Sequence, residues 1–458
     1  MFRSLAAVVL SIGCLRAELP AGASAAIDKL VAKALSDSGT PAVSIAIVRD
    51  GQVVLAKAYG DARLDPKTPA VPSMRFSIGS VSKQFMAAAL LLAQESGQLS
   101  LDDKVAKYVP SLTRAGDITV RQLLTHTSGY QDYYPQDYVP PFMRQPVTAQ
   151  GILDRWATKP LDFEPGSAWQ YSNTGFVVAG VVLEKATGTP AFEFLRQRIF
   201  TPLGMKTIYD LDHQPLTQDD AAGYLRNAIG PLHPVAPEAS GWLFAAGELA
   251  MAAGDLALWD AALIDGKVLS PRSFNEMITP VRLNNGDPQP YALGIGVSDF
   301  RGHPRLSHGG AVSGFTSQNT IWPDLKTAVV VLSNKDGSTA PRLITHELEA
   351  LLLVPAQDPD ADRLLEQAKA IFNGLLEGQL DRSLFTSNCN SYFTPEVLAD
   401  YARSLKTLGK VKNFEQTRSG LRGGFSERNY HIVFEGKTLS LVTRADPSGK
   451  LEQYQISE

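Results

Sequence analysis

Two residues three apart, Ser80 and Lys83, lie in the stretch FSIGSVSKQF between apolar flanks. A serine hydroxyl is a weak nucleophile at its own pKa. It needs a base in hydrogen-bond reach and donors for the oxyanion that develops on the attacked carbonyl. Residues i and i+3 share a helix face, so Lys83 can reach Ser80. A serine at a helix start meets free backbone N–H groups and the positive end of the helix dipole. A lysine buried one turn further in loses solvation, which lowers its pKa toward that of a base. Four residues thus hold a nucleophile, a tunable base and an oxyanion donor. The same tetrapeptide also describes a helix-capping serine beside an exposed lysine, and alone it does not choose between the two.

Two later stretches bear on that choice. FEPGSAWQYSNTGF (163–176) carries Tyr171, Ser172 and Asn173, and LSHGGAVSGF (306–315) carries His308, Gly309 and Gly310 ahead of Ala311. The chain contains no Gly-x-Ser-x-Gly, the strand–turn–helix signature of α/β-hydrolase nucleophiles. Ser-x-x-Lys, then Tyr-x-Asn, then His-x-Gly, framed by LLTHTSGY (123–130) and Phe-x-Pro-Gly before the tyrosine, resembles the serine β-lactamase and penicillin-binding-protein superfamily. Within it the match is to the branch of class C β-lactamases, D-Ala-D-Ala carboxypeptidases and related esterases, over about residues 30–350.

That resemblance implies an enzyme that cleaves an amide or ester bond of a small-molecule, peptide or ester substrate through an acyl-enzyme on Ser80. Lys83 would take or relay the hydroxyl proton. Tyr171 would activate the hydroxyl, protonate the leaving group, or both, its phenol pKa depressed by the neighbouring ammonium. Asn173 would hold Lys83 and a substrate carbonyl. The backbone N–H groups of Ser80 and Ala311 would form the oxyanion hole, with Gly309 and Gly310 letting substrate backbone approach closely. The chemistry calls for no cofactor and no metal.

His308 departs from the lysine of the lactamases and most carboxypeptidases. A histidine near its ordinary pKa is mostly uncharged at neutral pH, though it can donate one hydrogen bond. Recognition of a substrate carboxylate is therefore expected to be poor, and lactamase activity weak. Type D-aminopeptidase, D-Ala-D-Ala carboxypeptidase or esterase remain open. A class C-like β-lactamase is one competing reading, and a catalytically inactive binding or sensor protein is another. The intact Ser80, Lys83 and Tyr171 argue against the inactive form.

Elements must bring these three stretches to one cleft. PAVSIAIVRDGQVVLAKAYG (41–60) alternates across Asp50-Gly51, a hairpin signal with strands near 43–48 and 53–59. Helical patterns follow Ser80 and recur at 150–160, 174–188 and 244–264, with strand-like runs at 290–297, 316–322 and 327–333. Strands at both ends with helices between predict an α+β fold: an antiparallel sheet flanked by helices, with a helical region inserted. A Pro/Asp-rich stretch near 354–362 separates this domain (26–355) from a small α+β unit (360–458). The latter shows helical patterns at 363–377 and 395–408, then three strands. That order resembles small cone-shaped domains of the nuclear-transport-factor-two-like type, for which a structural or lid role is expected.

The 458 residues are 44% hydrophobic and 20% charged, enough for a large buried core. A net charge of -4 without a basic run lacks the electrostatic footprint of nucleic-acid binding. The first 25 residues read as a secretory leader: a basic start, an apolar run from Leu5 to Leu15, and Ala23-Ser24-Ala25 as the cleavage site. That run is too short to span a bilayer. A periplasmic or secreted protein is expected, with no integral membrane span in the mature chain. Ser11 in SIGC argues against a lipid anchor at Cys14. Cleavage would leave Cys389 alone, so no intrachain disulfide can form. His126 is expected to bond backbone within a loop, and Tyr291 to be core. The aromatic segment 133–142, with Trp242 and Phe244, either lines the substrate pocket or packs.

Overall fold

In the computed structural model, residues 18–19, 22–136, 138–353 and 360–458 are described. The apolar run of the expected leader and most of the 354–362 junction lie outside them. Two compact units result, Met1–Leu353 and Val354–Glu458. In the first, in chain order, are α1 (Ala23–Ser38), β1 (Ala42–Arg49), β2 (Gln52–Leu64), β3 (Lys67–Pro69), α2 (Ser82–Glu95), α3 (Asn173–Thr187) and α4 (Ala253–Ile264). Then come β4 (Gly296–Phe300), β5 (His303–Val312), β6 (Phe315–Trp322), β7 (Thr327–Ser333) and α5 (Ala340–Leu352). The expected cleavage point after Ala25 thus falls in the first turn of α1.

The strands form one antiparallel sheet in the order β3-β2-β1-β7-β6-β5-β4, so early strands join late ones through the pair Ile45↔Val331. Strands β1 and β7 are buried on both faces, which explains their near-continuous apolar runs. Alternate residues enter different cores. Val43, Ile45, Ile47, Val329 and Val331 pack with α1 and α5 through Ile27, Val31, Ile344 and Leu348. Ala46, Val48, Val330 and Leu332 face the larger core, which holds Phe85 and Leu90 of α2 and Trp259 of α4. Truncating a fully buried residue such as Ile45 to alanine costs about 2–5 kcal/mol.

Helix α2 is buried from Ser82 to Ala93. A buried polar chain fixes its rotation. Trp259 Nε1 donates to Gln84 Oε1 (2.9 Å), Gln84 Nε2 to Asn319 Oδ1 (3.3 Å), and Asn319 Nδ2 to Asp260 Oδ2 (2.7 Å). The chain ties α2 to α4 and β6.

Two expected elements differ. The helix predicted over 244–264 begins only at Ala253. Leu249–Met251 is instead the middle of a three-stranded sheet, between Phe76–Ser77 and Tyr209–Asp210. A short buried apolar run fits either state, because no periodicity distinguishes them. The strand predicted over 290–297 begins at Gly296. Residues 291–295 turn instead, with Ala292 N–H donating to the Ile295 carbonyl (2.8 Å).

The second unit contains α6 (Ala361–Leu376), α7 (Ser387–Tyr392), α8 (Pro395–Lys406) and an antiparallel meander of β8 (Asn413–Arg422), β9 (Phe425–Val433), β10 (Thr438–Ala445) and β11 (Leu451–Ser457). It has four strands where three are expected. The extra one, β8, is an exposed edge whose only buried side chain is Phe414, so it lacks alternation. Cys389 is buried in this unit's core, and burial pushes its thiol up to about 11, which makes it inert. Among the described residues no helix is long and apolar enough to cross a membrane.

Candidate active site

Ser80 sits in a single 3-10 turn, Gly79–Val81, that runs directly into α2. The cap residue of α2 is Val81, and no side chain caps the helix, so Ser80 is not a capping serine. Its hydroxyl is spent elsewhere. Lys83 Nζ donates to Ser80 Oγ (3.0 Å), Asn173 Oδ1 (2.8 Å) and the Ala246 carbonyl (2.7 Å). Lys83 is fully buried. Burial is the main cause that brings its pKa down to about 7, against the opposing pull of Asp132 and Glu248.

Tyr171 and Asn173 arrive from a second element. Ser172 caps α3 by accepting from Gly175 N–H (3.2 Å), which makes Asn173 the first helical residue and leaves Tyr171 just outside. Asn173 N–H donates to Asp132 Oδ1 (3.0 Å), and its Nδ2 to Asp132 Oδ2 (3.3 Å). With Oδ1 on Lys83, the amide is held at both ends. The Tyr171 phenol pKa is raised, not depressed as the sequence suggests. Burial dominates over the downward pull of Ser80, because the phenol is enclosed while Lys83 Nζ stands over its ring face, 5.0 Å from the centroid.

The opposite wall is β5. Strand β4 pairs with it only as far as Ser307↔Gly296, so His308–Val312 form a free edge on that side. This edge lies against the serine turn. A Cβ on Gly310 would stand 2.0 Å from the Ile78 carbonyl oxygen, and one on Gly79 (φ 52°) only 2.9 Å from the Ala311 nitrogen. Glycine at both places lets the two backbones meet and brings the Ala311 nitrogen against Gly79, the residue before Ser80. Gly310, which also lines the cleft, makes room for the serine turn. Gly309 faces outward, with nothing closer than 3.6 Å to a Cβ.

His308 Nδ1 lies 2.6 Å from the Gly309 carbonyl oxygen, and Nε2 lies 2.8 Å from the Tyr291 hydroxyl. A carbonyl only accepts, so Nδ1 carries the proton and Nε2 accepts from Tyr291. Burial pushes the ring down to about 4. The hydrogen bond that the sequence reading left for a substrate is spent on the protein's own backbone.

Ser80, Tyr171, Asn173, His308, Gly309, Gly310 and Ala311 line one cleft of about 1340 Å³. Tyr133, Tyr134 and Tyr138 line it as well, and Tyr133 also packs in the core with Trp242, so the aromatic segment both lines and packs. Phe244 packs against that core too. His126 is buried, with its ring centroid 4.1 Å from that of Tyr171. Asp132 and Glu248 were not foreseen. Each is a single acid in an ordinary loop context, and only the fold sets them near Lys83. Burial raises the pKa of both. Among the described residues no group of His, Cys, Asp and Glu is placed to hold a metal ion.

The family model described as Beta-lactamase matches residues 27–353. Penicillin-binding protein 4* of Bacillus subtilis is 30% identical over 303 residues, covering 63% of this chain and 67% of its own. A D-aminopeptidase of Brucella anthropi is 29% identical over 304 residues, or 66% of this chain and 57% of that longer protein. The solved structure of a D-stereospecific amidohydrolase from Streptomyces sp. is 28% identical, covers 71% of this chain and 97% of its own, and superposes with a TM-score of 0.62.

Proposed function

The chain belongs to the beta-lactamase family, and from that premise we propose an exported hydrolase of the D-aminopeptidase or D-amino-acid amidase type, with Ser80 as nucleophile. The observation that carries this reading is the set of three partners around Lys83. Asn173 Oδ1 and the Ala246 carbonyl can only accept, so each takes one N–H of Lys83. The third direction meets Ser80 Oγ: the ammonium donates along it, and the amine left by loss of that proton turns its lone pair to the hydroxyl.

As Ser80 Oγ bonds to the substrate carbonyl carbon, its proton passes to Lys83. The oxygen of the tetrahedral intermediate accepts from the N–H groups of Ser80 and Ala311. Tyr171 gives its proton to the leaving nitrogen or oxygen as the C–N or C–O bond breaks, and recovers one from the Lys83 ammonium. Water then attacks the acyl ester, loses a proton to the same set, and frees Ser80. The three groups titrate together, so the set and not one member is the base.

The choice of substrate follows from the walls. A C-terminal carboxylate would find His308 uncharged and without a spare donor. An acyl group bearing a free amine finds a carboxyl, Asp132, on the cleft lining. This favours amides and esters of amino acids over D-Ala-D-Ala peptides and β-lactams. The test is a panel of D-aminoacyl amides, p-nitrophenyl esters, D-Ala-D-Ala peptides and nitrocefin, run with the parent and Ser80→Ala. Turnover is expected on the first two, lost in the variant. Nitrocefin hydrolysis at rates of a resistance enzyme, or no Ser80-dependent turnover at all, would sink the reading.

A further inference from the structure

We propose that His126 is a positioning residue for Tyr171: it grips the backbone on both sides of the tyrosine and floors its ring. The inference rests on the hydrolase reading for Tyr171's role, but its geometric content stands apart. The His126 carbonyl accepts from Gln170 N–H (3.0 Å), and its Nδ1 accepts from Ser172 N–H (3.1 Å). These are the residues immediately before and after Tyr171. Between the two bonds the imidazole lies under the phenol ring, with centroids 4.1 Å apart and planes tilted by 35°. One residue thereby holds the Tyr171–Ser172 peptide, the Trp169–Gln170 peptide just upstream, and the direction of the Tyr171 ring.

Two costs are concentrated in this residue. Its φ is 58°, in the left-handed region where non-glycine side chains are strained. Because Nδ1 accepts, Nε2 carries the proton, and that N–H is buried without a hydrogen-bond partner. Its surroundings are the rings of Trp169 and Tyr291, with centroids at 5.8 and 4.8 Å. A loop residue needed only to fill space would be an apolar side chain with ordinary φ, free of both costs. What the histidine supplies is a flat ring with an acceptor on one edge, at a backbone turn that brings both to Tyr171.

The test uses His126→Ala and His126→Asn in the full chain. Asparagine tolerates the left-handed conformation and offers an oxygen to Ser172 N–H, but has no ring. Expected are crystal structures with the Tyr171 hydroxyl moved off Ser80 in the alanine variant and less displaced in the asparagine variant. With a D-aminoacyl ester, kcat should fall about 100-fold in the alanine variant and less in the asparagine variant, at near-constant KM, as expected for misplacement of a reacting group by about 1 Å. If the alanine variant does not fold, the asparagine variant carries the test. Unmoved Tyr171, or unchanged kcat per folded molecule with only a lower Tm, overturns the proposal. If Tyr171 moves but the parent shows no Ser80-dependent turnover, the positioning role holds and it is the hydrolase reading that fails.

Discussion

The two walls of the cleft each bury an ionisable side chain, and they treat it in opposite ways. On one wall Lys83 is fully enclosed, yet only two of its three hydrogen-bonding directions go to groups that cannot react. The third meets Ser80. On the other wall His308 is enclosed as well, but Gly309 and Tyr291 consume both of its nitrogens. Burial lowers both pKa values, to about 7 and about 4. Desolvation is therefore common to both walls. What separates them is the partner in the remaining direction, a serine hydroxyl for Lys83 and the protein's own groups for His308.

Breaking the first wall should cost most. Lys83→Met removes the proton acceptor, and kcat/KM should fall by about 10³-fold in steady-state assays, within the range of a lost general base. Tyr171→Phe keeps the ring and loses only the transferable proton. A fall of about 10²-fold in kcat is expected, smaller for p-nitrophenyl esters, whose leaving group needs no proton. A pH profile sharpens the contrast. With Lys83 as the proposed base, active when neutral, kcat/KM should rise with pH and reach half its plateau at about 7. The raised Tyr171 phenol adds no fall at mildly alkaline pH. His308 is uncharged throughout this window, so no limb belongs to it.

The second wall should respond more weakly and in specificity. His308→Lys would place a cation beside the cleft, and one charge-assisted hydrogen bond of about 1.5–3 kcal/mol should lower KM for carboxylate substrates by about 10–100-fold. A KM unchanged for such substrates would show that the wall does not set this preference. Tyr291→Phe leaves His308 Nε2 without its donor. It should cost about 1–3 kcal/mol in urea unfolding while moving kcat little. A large loss of kcat there would place Tyr291 on the first wall's side of the comparison.

Strands with strong local patterns were legible. The runs 316–322 and 327–333 lie within β6 and β7, and the 43–59 hairpin appears as β1 and β2. Where burial erases periodicity, as at 244–252, helix and strand read alike. Where exposure erases it, as in β8, nothing in the pattern marks a strand. At the site, the Ser80–Lys83 pair was legible from its helical spacing, and Tyr171 and Asn173 from the resemblance that their Tyr-x-Asn motif carries. Asp132 was not, since no offset ties it to α2 or α3.

By itself the sequence determined which groups are candidates to react: a serine and a lysine three residues apart, from their local spacing, and Tyr-x-Asn and His-x-Gly, from the resemblance that the motifs carry in that order. These are short stretches, and each can be stated without the fold. The state in which each group stands was decided only by the tertiary structure. That Tyr171 is raised and not depressed, that His308 has no hydrogen bond to offer, and that Lys83 keeps one direction open all depend on solvent exclusion and on partners from distant segments. Asn173, Ala246, Tyr291 and Asp132 come from four separate stretches of chain, and no spacing along the sequence encodes where they meet.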